Sequence, residues 1–427
     1  MGCQGVTIMG ATPKTIGIIG AGIIGVTLAR ALQRRGLQVT LFDERDPGRA
    51  ASFGNAGYIA TEAIFPLAHG SILRSLPRML FNPLSPLTMR WQEFPRLLSW
   101  YLKYVSACSN RRAADSIQAL ATIQGKAGIA WEALRSCEGL HNLVVANGAI
   151  MLYESDRGFN ETRIRRDAQR HYGIDWQVLS GDEARRMIPE LSSHIKHAVT
   201  YPAGMHVVNP YSITTNIFDR FVSDGGEFTK ERIAVLEPTD TAVKTTSEAK
   251  AMRQFHAVAV SAGHLSGRLL KLLGYKVPII AERGYHLETS YQKTSLNMPV
   301  GAYERGFHIT PMSSGLRLAG TVEFSSADHD EEPNWDRAEI LKTHIDEIAP
   351  GLAGAETSRW MGHRPTLPDF LPVLGRAPRH KNLFLAFGHH HLGLTLAPIT
   401  ATIMSELVAG ARPSIDLEAF SLRRFNR

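Results

Sequence analysis

Residues 15–25 read TIGIIGAGIIG, and this stretch decides the fold. The first five residues are almost wholly apolar, as expected of a strand buried on both faces of a parallel sheet. The glycine turn follows at once, and a helical pattern then runs to Gly36, which stops it. Residues 39–42 (VTLF) indicate a second strand, with Asp43 and Glu44 at its end. This order predicts a βαβ unit with a glycine turn between its first strand and its helix.

Each glycine of the turn has a physical role in binding a dinucleotide, as in a Rossmann-type unit. Gly20 permits a tight turn, Gly22 lets the backbone approach a pyrophosphate, and Gly25 lets the helix pack against the strand. The helix N-terminus offers unpaired N–H groups and a positive dipole end to the phosphates. The residues expected to contact the cofactor here are Gly20, Ala21, Gly22, Ile23, Ile24, Gly25, Asp43 and Glu44.

The acids after the second strand narrow the choice of cofactor. A carboxylate at this place can accept both ribose hydroxyls, whereas it would repel the 2′-phosphate of NADP. A glycine turn that serves packing alone is the alternative. The order of strand, turn, helix, strand and acid favours a dinucleotide over that alternative.

Two distant segments favour FAD over NAD. Residues 51–57 form a small-residue loop, although an ordinary surface turn would have a similar composition. Residues 255–263 indicate a buried strand that ends in small residues, and residues 383–397 indicate a strand, a glycine turn and a helix start. A cofactor touched by both ends of the chain must be long, which suits FAD. The expected contacts are Ser52, Asn55, Ala56, Gly57, Ala262, Gly263, Gly388, His389, Gly393, Leu394 and Thr395.

Composition excludes several classes of protein. The chain has 427 residues, of which 44% are hydrophobic and 20% charged, which is typical of a globular protein with two or three domains. The net charge of +7 is modest for this length, and no aromatic-basic module of a nucleic-acid-binding type is present. The N-terminus has no secretory pattern, so we expect a cytoplasmic protein that does not bind nucleic acid.

Together these motifs resemble the D-amino-acid oxidase-like superfamily of FAD-dependent oxidoreductases, most closely its bacterial D-amino-acid dehydrogenase (small subunit) branch. The stretches that carry the resemblance lie between residues 16 and 398; they are IIGAGIIG with Asp43, SFGNAG, AVAVSAG, RGYHLE, HRPTLPDFLPVLG and FGHHHLGLTLAP. The resemblance implies an α/β fold: a Rossmann-type FAD-binding domain and a second α+β substrate domain built on a mixed β-sheet. The first would comprise residues 1–64, 195–275 and 358–427, and the second residues 65–194 and 276–357.

The resemblance also implies non-covalent FAD and oxidative deamination of a D-amino acid. A hydride would pass from Cα to flavin N5, and the imine would hydrolyse to a 2-oxo acid and ammonia. Electrons would go to a quinone or another carrier. An oxygen-dependent amine or amino-acid oxidase and a D-hydroxyproline dehydrogenase are close alternatives. A non-catalytic, membrane-docked flavoprotein electron carrier is the alternative from another class.

Four residues are candidates for the substrate end of the site. The planar fork of a guanidinium matches a carboxylate, and the resemblance places a carboxylate-binding arginine at Arg364; a structural pair with Asp369 is the alternative. The Tyr285 phenol could donate to the substrate carboxylate, and the His286 imidazole could take up the amine proton. Ordinary packing in a sheet is the alternative for both. Tyr58 is a candidate for the pocket wall.

Residues 389–391 are three consecutive histidines, which point in different directions and lack a carboxylate or cysteine at ligand spacing. We therefore expect no metal site there, and place His389 beside the flavin pyrimidine instead.

Residues 71–112 carry seven basic residues against the single acid Glu93, with six aromatic residues interleaved. Such a segment can lie in an anionic membrane interface, here peripherally on the inner membrane face. The favoured alternative is a helical segment whose aromatic residues pack on the protein and whose charges are solvated.

Overall fold

The computed structural model describes residues 14–70, 85–291, 296–326 and 332–426, without the side chains of Met89 and Tyr291. The expected α/β fold with a Rossmann-type unit and a second, mixed sheet is confirmed. The helices of the described residues are α1 (Ile23–Arg34), α2 (Phe94–Ala107), α3 (Asn110–Cys137), α4 (Asp156–Glu161), α5 (Arg163–His171), α6 (Gly181–Met187), α7 (Pro210–Ser223), α8 (Ser266–Leu272), α9 (Asp336–Ile348) and α10 (Gly393–Val408).

The first sheet has six strands and is mainly parallel. Its strands are β1 (Thr15–Ile19), β2 (Gln38–Phe42), β10 (Glu227–Thr229), β14 (Ala257–Val260), β20 (Val373–Ala377) and β21 (His380–Phe387). Their order is β10-β2-β1-β14-β21-β20, and β20 is the antiparallel edge. Helices α1 and α10 contribute to one apolar cluster against this sheet. The carboxyl ends of β1, β2, β14 and β21 therefore meet at one edge, where an open α/β sheet binds its ligand.

The second sheet has nine strands and mixed directions. Its strands are β4 (Leu87–Met89), β6 (Ala149–Tyr153), β7 (Gln177–Ser180), β8 (His197–Tyr201), β15 (Ile280–Tyr291), β16 (Val300–Ala302), β17 (Phe307–Met312), β18 (Gly315–Ser325) and β19 (Ala353–Thr366). Their order is β19-β15-β18-β17-β16-β6-β8-β7, with β4 beside β18. Helix α9 packs its apolar residues on one face, and the other face turns towards the ligand edge of the first sheet.

Two small sheets complete the structure. One consists of β11 (Ile233–Pro238), β12 (Val243–Ser247) and β13 (Met252–Phe255). The other consists of β3 (Tyr58–Ile59), β9 (Met205–Val207) and β5 (Val144–Val145).

Most predicted elements are confirmed within a few residues, but two differ. Residues 255–260 were expected to form one strand, whereas β13 ends at Phe255 and β14 begins at Ala257. Between them His256 exchanges hydrogen bonds with Thr15, so the chain passes at this point from the small antiparallel sheet into the parallel sheet. The apolar pattern of residues 277–287 predicts a strand there, whereas β15 begins at Ile280 and ends at Tyr291.

The division into two discontinuous domains remains a proposal. If each strand is assigned to the domain of its sheet, two of the proposed domain boundaries move. Strand β8, within 195–275, belongs to the second sheet, and so does β19 as far as Thr366. The boundaries at 195 and 358 would then follow Tyr201 and Thr366.

One stretch of the described residues, His390–Val408, is long and apolar enough to cross a membrane by length and composition alone. It is mostly buried inside the protein, where Ile399, Ile403 and Met404 pack with the core around α1. That position is typical of the central helix of a large core.

Candidate functional site

A cavity of about 770 Å³ lies where the ligand edge of the first sheet faces the second sheet. Its size is within the range of cofactor and ligand sites. Fifteen predicted cofactor contacts border it, namely Gly20, Gly22, Ile23, Ile24, Asp43, Glu44, Ser52, Asn55, Ala56, Ala262, Gly263, Gly388, His389, Gly393 and Leu394. Among the described residues, four other predicted contacts do not border it, namely Ala21, Gly25, Gly57 and Thr395.

Two glycines of the turn have no room for a side chain. Gly20 has φ +107°, and a Cβ there would lie 2.4 Å from Ser261 O. A Cβ on Gly25 would lie 1.8 Å from Gly20 O. Gly25 therefore acts by letting α1 approach β1, and it does not touch the cavity. Gly22, by contrast, borders the cavity, as expected of the residue that approaches the cofactor.

The N-terminus of α1 is capped by a residue from outside the βαβ unit. No side chain of its own N-cap residue caps α1, and Ile23 N instead donates to Ser52 Oγ at 2.9 Å. Ser52 thus connects the small-residue loop to the helix N-terminus that would face the phosphates.

Both acids at the end of β2 border the cavity. Asp43 Oδ2 accepts from Ala21 N at 2.7 Å, and Oδ1 accepts from Arg45 N at 3.0 Å. Burial raises the pKa of Asp43 above its usual range, and the two backbone donors oppose that shift. Each carboxylate oxygen keeps a second lone pair for a hydroxyl donor. Ala21 therefore orients Asp43 and makes no cavity contact of its own.

Gly57 and Thr395 pack inside the protein. Gly57 has φ +74° and donates its N–H to Asn55 Oδ1 at 2.9 Å, and a Cβ there would lie 2.6 Å from Met312. Thr395 Oγ1 accepts from Ala60 N at 3.1 Å, and its carbonyl accepts from Trp131 Nε1. Both residues therefore position the cavity wall from behind.

His389 points away from the other two histidines, whereas the rings of His390 and His391 contact each other, with their Nδ1 atoms 3.2 Å apart. His389 is buried, and its Nε2 lies 3.0 Å from Thr400 Oγ1 inside α10. Its ring therefore bonds to the helix, while the residue borders the cavity, and its place beside a flavin ring stays a prediction. His390 bonds to Phe370 O. His391 borders the cavity, where burial lowers its pKa to about 3 and the charge of Arg364 adds to that shift.

Arg364 lies on β19 at the cavity wall. Its Nη1 donates to Glu282 Oε1 at 2.9 Å, and Thr366 Oγ1 donates to the other oxygen of that buried carboxylate at 2.8 Å. A Cβ on Gly284 would lie 2.3 Å from Arg364 Cζ, so this glycine makes room for the guanidinium. The alternative pair with Asp369 is wrong, because Asp369 pairs with Arg424 at 2.7 Å.

Tyr285 and His286 point to opposite faces of β15. The Tyr285 hydroxyl accepts from Asn334 N at 3.2 Å, and its ring packs with the α9 side of the sheet. Tyr285 borders the cavity, but this hydroxyl position does not fit the expected bond to a substrate carboxylate. The RGYHLE motif could not reveal the face, because a bulge between Gly284 and Tyr285 shifts the register.

His286 faces the cofactor side, but it is buried and does not border the cavity. Its Nδ1 carries a proton and donates to Gly54 O at 3.0 Å, because a carbonyl can only accept. Its ring stacks on Trp360 with 5.3 Å between centroids. Burial lowers the pKa of His286 to about 4, so the ring is neutral at pH 7. This position fits a residue that holds Gly54 in place better than the expected acceptor of the amine proton.

Tyr58, the candidate for the pocket wall, does not border the cavity and belongs instead to a polar cluster that the sequence did not reveal. Its hydroxyl donates to Glu62 Oε1 at 2.6 Å, and its ring lies 5.6 Å from that of His308. Burial lowers the pKa of His308 to about 4, and the charge of Arg364 adds to that shift. The His308 ring therefore contacts Tyr58, and its protonation responds to the charge of Arg364.

Glu62 gives this cluster a pH dependence. Burial raises its pKa from 4.5 to about 7, although the Tyr58 hydrogen bond opposes the shift. Because the folded protein holds the Glu62 proton more tightly, the free energy of unfolding should fall as the pH rises from 4.5 to 7. The loss from this group would be at most about 3 kcal/mol.

Urea unfolding near pH 5 and near pH 8 checks this expectation. Glu62→Gln should reduce the fall in the free energy of unfolding, whereas Glu132→Gln, on the outer side of α3, should leave it as in the wild type. The same fall in all three proteins would contradict a titrating Glu62.

The sequence reasoning also missed Arg317 and Trp360, which contact the 53–55 segment from the second sheet, and Glu288, which holds Arg317. Trp360 lies three positions before the HRP motif, and Glu288 is the last residue of RGYHLE, so both were close to motifs already identified. No local signal marks Arg317, because its role follows from strand pairing.

The residues around the cavity fit a dinucleotide. The two glycines, the helix N-terminus and the acids stand in the positions that a pyrophosphate and a ribose require. The cavity extends from these acids to Arg364.

Comparison with known proteins agrees with this site. Residues 15–407 match the family model described as FAD dependent oxidoreductase (DAO). The chain is 30% identical over 419 residues to a D-amino-acid oxidase of Bradyrhizobium diazoefficiens, covering 96% of this chain and 99% of that protein. It is 28% identical over 409 residues to a D-amino acid dehydrogenase of Dechloromonas aromatica, covering 93% and 97%.

A solved structure, glycine oxidase from Geobacillus kaustophilus, has the same fold, with a TM-score of 0.77 at 20% identity over 96% of this chain and 98% of that one. The chain therefore belongs to the FAD-dependent oxidoreductase (DAO) family, and FAD is its cofactor.

Proposed function

We propose that the protein oxidises a D-amino acid to the imine, which water hydrolyses to a 2-oxo acid and ammonia. The observation that carries this proposal is the Arg364 guanidinium, held by Glu282 at the wall of the FAD cavity. The names of the two curated relatives support an amino-acid donor and D chirality.

The residues of the chain would bind and orient the substrate. Bound FAD supplies the hydride acceptor of the reaction. Arg364 uses one N–H group on Glu282, and its other N–H groups have no hydrogen bond to the described part of the chain, so they can bind a carboxylate. Glu282 and Gly284 fix the guanidinium, and this fixes the direction in which the substrate Cα points.

Besides Glu282, two neutral histidines lie near the guanidinium. Burial lowers the pKa of His308 to about 4 and that of His391 to about 3, so neither ring is charged at pH 7. Neither histidine would therefore compete with Arg364 as a cation for a substrate carboxylate.

An anaerobic screen tests the proposal. D-amino acids, L-amino acids and N-methyl amines are each added under argon, and bleaching of the flavin band near ~450 nm is recorded. We expect D-amino acids to bleach the flavin faster than their L enantiomers. Faster bleaching by the L series would contradict the proposed chirality, and failure of every compound would favour the non-catalytic electron carrier. Preference for a cyclic secondary amine would favour the D-hydroxyproline dehydrogenase.

The electron acceptor belongs to the same proposal. We expect a quinone or another carrier to accept the electrons. The yield of hydrogen peroxide in air, compared with dye reduction under argon, separates this dehydrogenase from an oxygen-dependent oxidase. A peroxide yield equal to the substrate consumed in air would contradict the carrier.

We further propose a cytoplasmic location with peripheral contact to the inner membrane face through the 71–112 segment. The described part of the 71–112 segment supports both earlier interpretations, while residues 71–84 lie outside the described residues. On the inner side Trp100 and Tyr104 are buried and stacked 5.3 Å apart, as the packing alternative requires. On the outer side α2 and the residues before it expose large apolar side chains, namely Trp91, Leu98, Leu102 and Val105.

Flotation with anionic vesicles tests this contact. A triple change of the exposed Lys103, Arg111 and Arg112 to glutamate should abolish flotation, because the basic charges attract anionic lipid. Changing the exposed Arg157, Arg163 and Lys244 to glutamate alters the net charge equally and should leave flotation unchanged. Equal flotation of the first variant and the wild type would contradict the membrane contact.

A further inference from the structure

Three consecutive carbonyl groups of the small-residue loop face the second sheet. Arg317 Nη1 donates to Asn55 O at 2.6 Å and to Phe53 O at 3.4 Å. His286 Nδ1 donates to Gly54 O at 3.0 Å. All three carbonyl groups accept hydrogen bonds from side chains of the second sheet. These bonds fix the orientation of the loop backbone.

Arg317 is itself fixed within the second sheet. It lies on β18 directly opposite Glu288 on β15, and Glu288 Oε1 accepts from its Nε at 2.9 Å. The Arg317 side chain is buried, and both partners of its hydrogen bond to Glu288 are charged. The guanidinium therefore has little freedom to move.

Trp360 also packs on the 53–55 segment from the second sheet. A Cβ on Gly54 would lie 2.0 Å from the Trp360 ring, so the indole lies directly on the glycine. The same ring stacks on His286. Only glycine at position 54 leaves room for the Trp360 ring while Gly54 O accepts from His286.

The orientation of the carbonyl groups determines that of the N–H groups. In a trans peptide the N–H points away from the preceding carbonyl. The N–H groups of Gly54, Asn55 and Ala56 therefore point away from Arg317 and His286. These three residues border the cavity, and the Gly54 and Ala56 N–H groups have no hydrogen bond to the described residues.

We propose that Arg317, with Glu288 and His286, is a positioning unit that presents the Gly54 and Ala56 N–H groups to a hydrogen-bond acceptor of bound FAD. The unit connects the sheet that carries Arg364 to the loop that contacts the cofactor. It acts through the backbone and does not touch the cofactor itself. The inference concerns FAD binding and does not depend on the proposed substrate.

Titration of the apoprotein with FAD tests the unit. The double variant Arg317→Met/Glu288→Leu removes both charges together, so no buried charge is left unpaired. We expect its Kd for FAD to rise about 10- to 100-fold, since donors to two backbone carbonyls are lost. The visible circular dichroism of the bound flavin should change as well, because its hydrogen-bond partners are displaced.

A matched control is available on β19 of the same sheet. Arg359→Met/Glu356→Leu removes another arginine–glutamate pair, which does not contact residues 53–55. This control should keep the wild-type Kd and dichroism. A folded Arg317→Met/Glu288→Leu variant with wild-type Kd and dichroism would overturn the proposal.

His286→Phe keeps the proposal testable if the double variant does not fold. Phenylalanine can retain the stacking on Trp360 but cannot donate to Gly54 O. We expect a Kd for FAD several-fold above that of the wild type and a changed flavin dichroism, with cooperative unfolding of the apoprotein retained. Wild-type values of both would overturn the proposal.

Discussion

Arg364→Ala should raise the KM for the amino-acid substrate about 100-fold or more, while FAD stays bound. Two charge-assisted hydrogen bonds to a carboxylate contribute roughly 3–4 kcal/mol, and each 1.4 kcal/mol corresponds to a factor of ten. Arg364 lies at the cavity wall with only one N–H group used on Glu282, so a substrate carboxylate would lose its main partner. Steady-state kinetics with dye reduction, together with flavin absorbance, measure both parts of this expectation.

Two further variants separate binding from folding. Arg364→Ala also leaves the buried Glu282 without its cation, which can lower stability. Arg364→Lys keeps a charge beside Glu282 but lacks the planar fork, so we expect a smaller rise in KM, about tenfold. Arg359→Ala, five residues earlier on the same strand, should leave KM unchanged. Unchanged kinetics in Arg364→Ala would exclude this residue as the carboxylate clamp.

Gly25→Ala should give a protein that retains no FAD. The added Cβ would lie 1.8 Å from Gly20 O, so either α1 or the glycine turn must move. Both belong to the wall that would hold the pyrophosphate, and a backbone clash cannot be relieved by a change of rotamer. We expect a destabilisation of at least about 3 kcal/mol. Flavin absorbance of the purified protein and its thermal unfolding report these two effects.

Gly125→Ala is the matched control. Gly125 lies within α3, where a Cβ would meet nothing within 4 Å. Alanine there should stabilise the helix by about 0.5–1 kcal/mol and leave the flavin absorbance as in the wild type. A Gly25→Ala protein that is yellow and as stable as the wild type would contradict the role given to this glycine.

The cofactor half of the site was predictable because its signals are local. The strand, turn and helix around Gly20 follow each other along the chain, and the spacing of Gly25 reflects one contact between neighbouring elements. The C-terminal turn at Gly388 repeats that pattern. The sequence could not distinguish residues that border the cavity from residues that pack behind its wall. Gly57 and Thr395 carry the right residue types, but their bonds lead into the protein.

The substrate half depends on pairing between distant strands. The alternation in RGYHLE puts Tyr285 and His286 on opposite faces, yet it does not say which face meets the cavity. Arg317 becomes visible only when β18 is placed beside β15 in the observed register. Glu62 is likewise an ordinary glutamate until its burial beside Tyr58 is known.

The strand order of the first sheet also determines when the cofactor site can form during synthesis. Strand β1 leaves the ribosome early, but its neighbour β14 follows more than 200 residues later, and β21 follows after more than another hundred. The early βαβ unit must therefore wait for most of the chain before its sheet is complete. Until then α1 lacks α10, the apolar helix that covers it, and the apolar face of α1 stays exposed on the nascent chain.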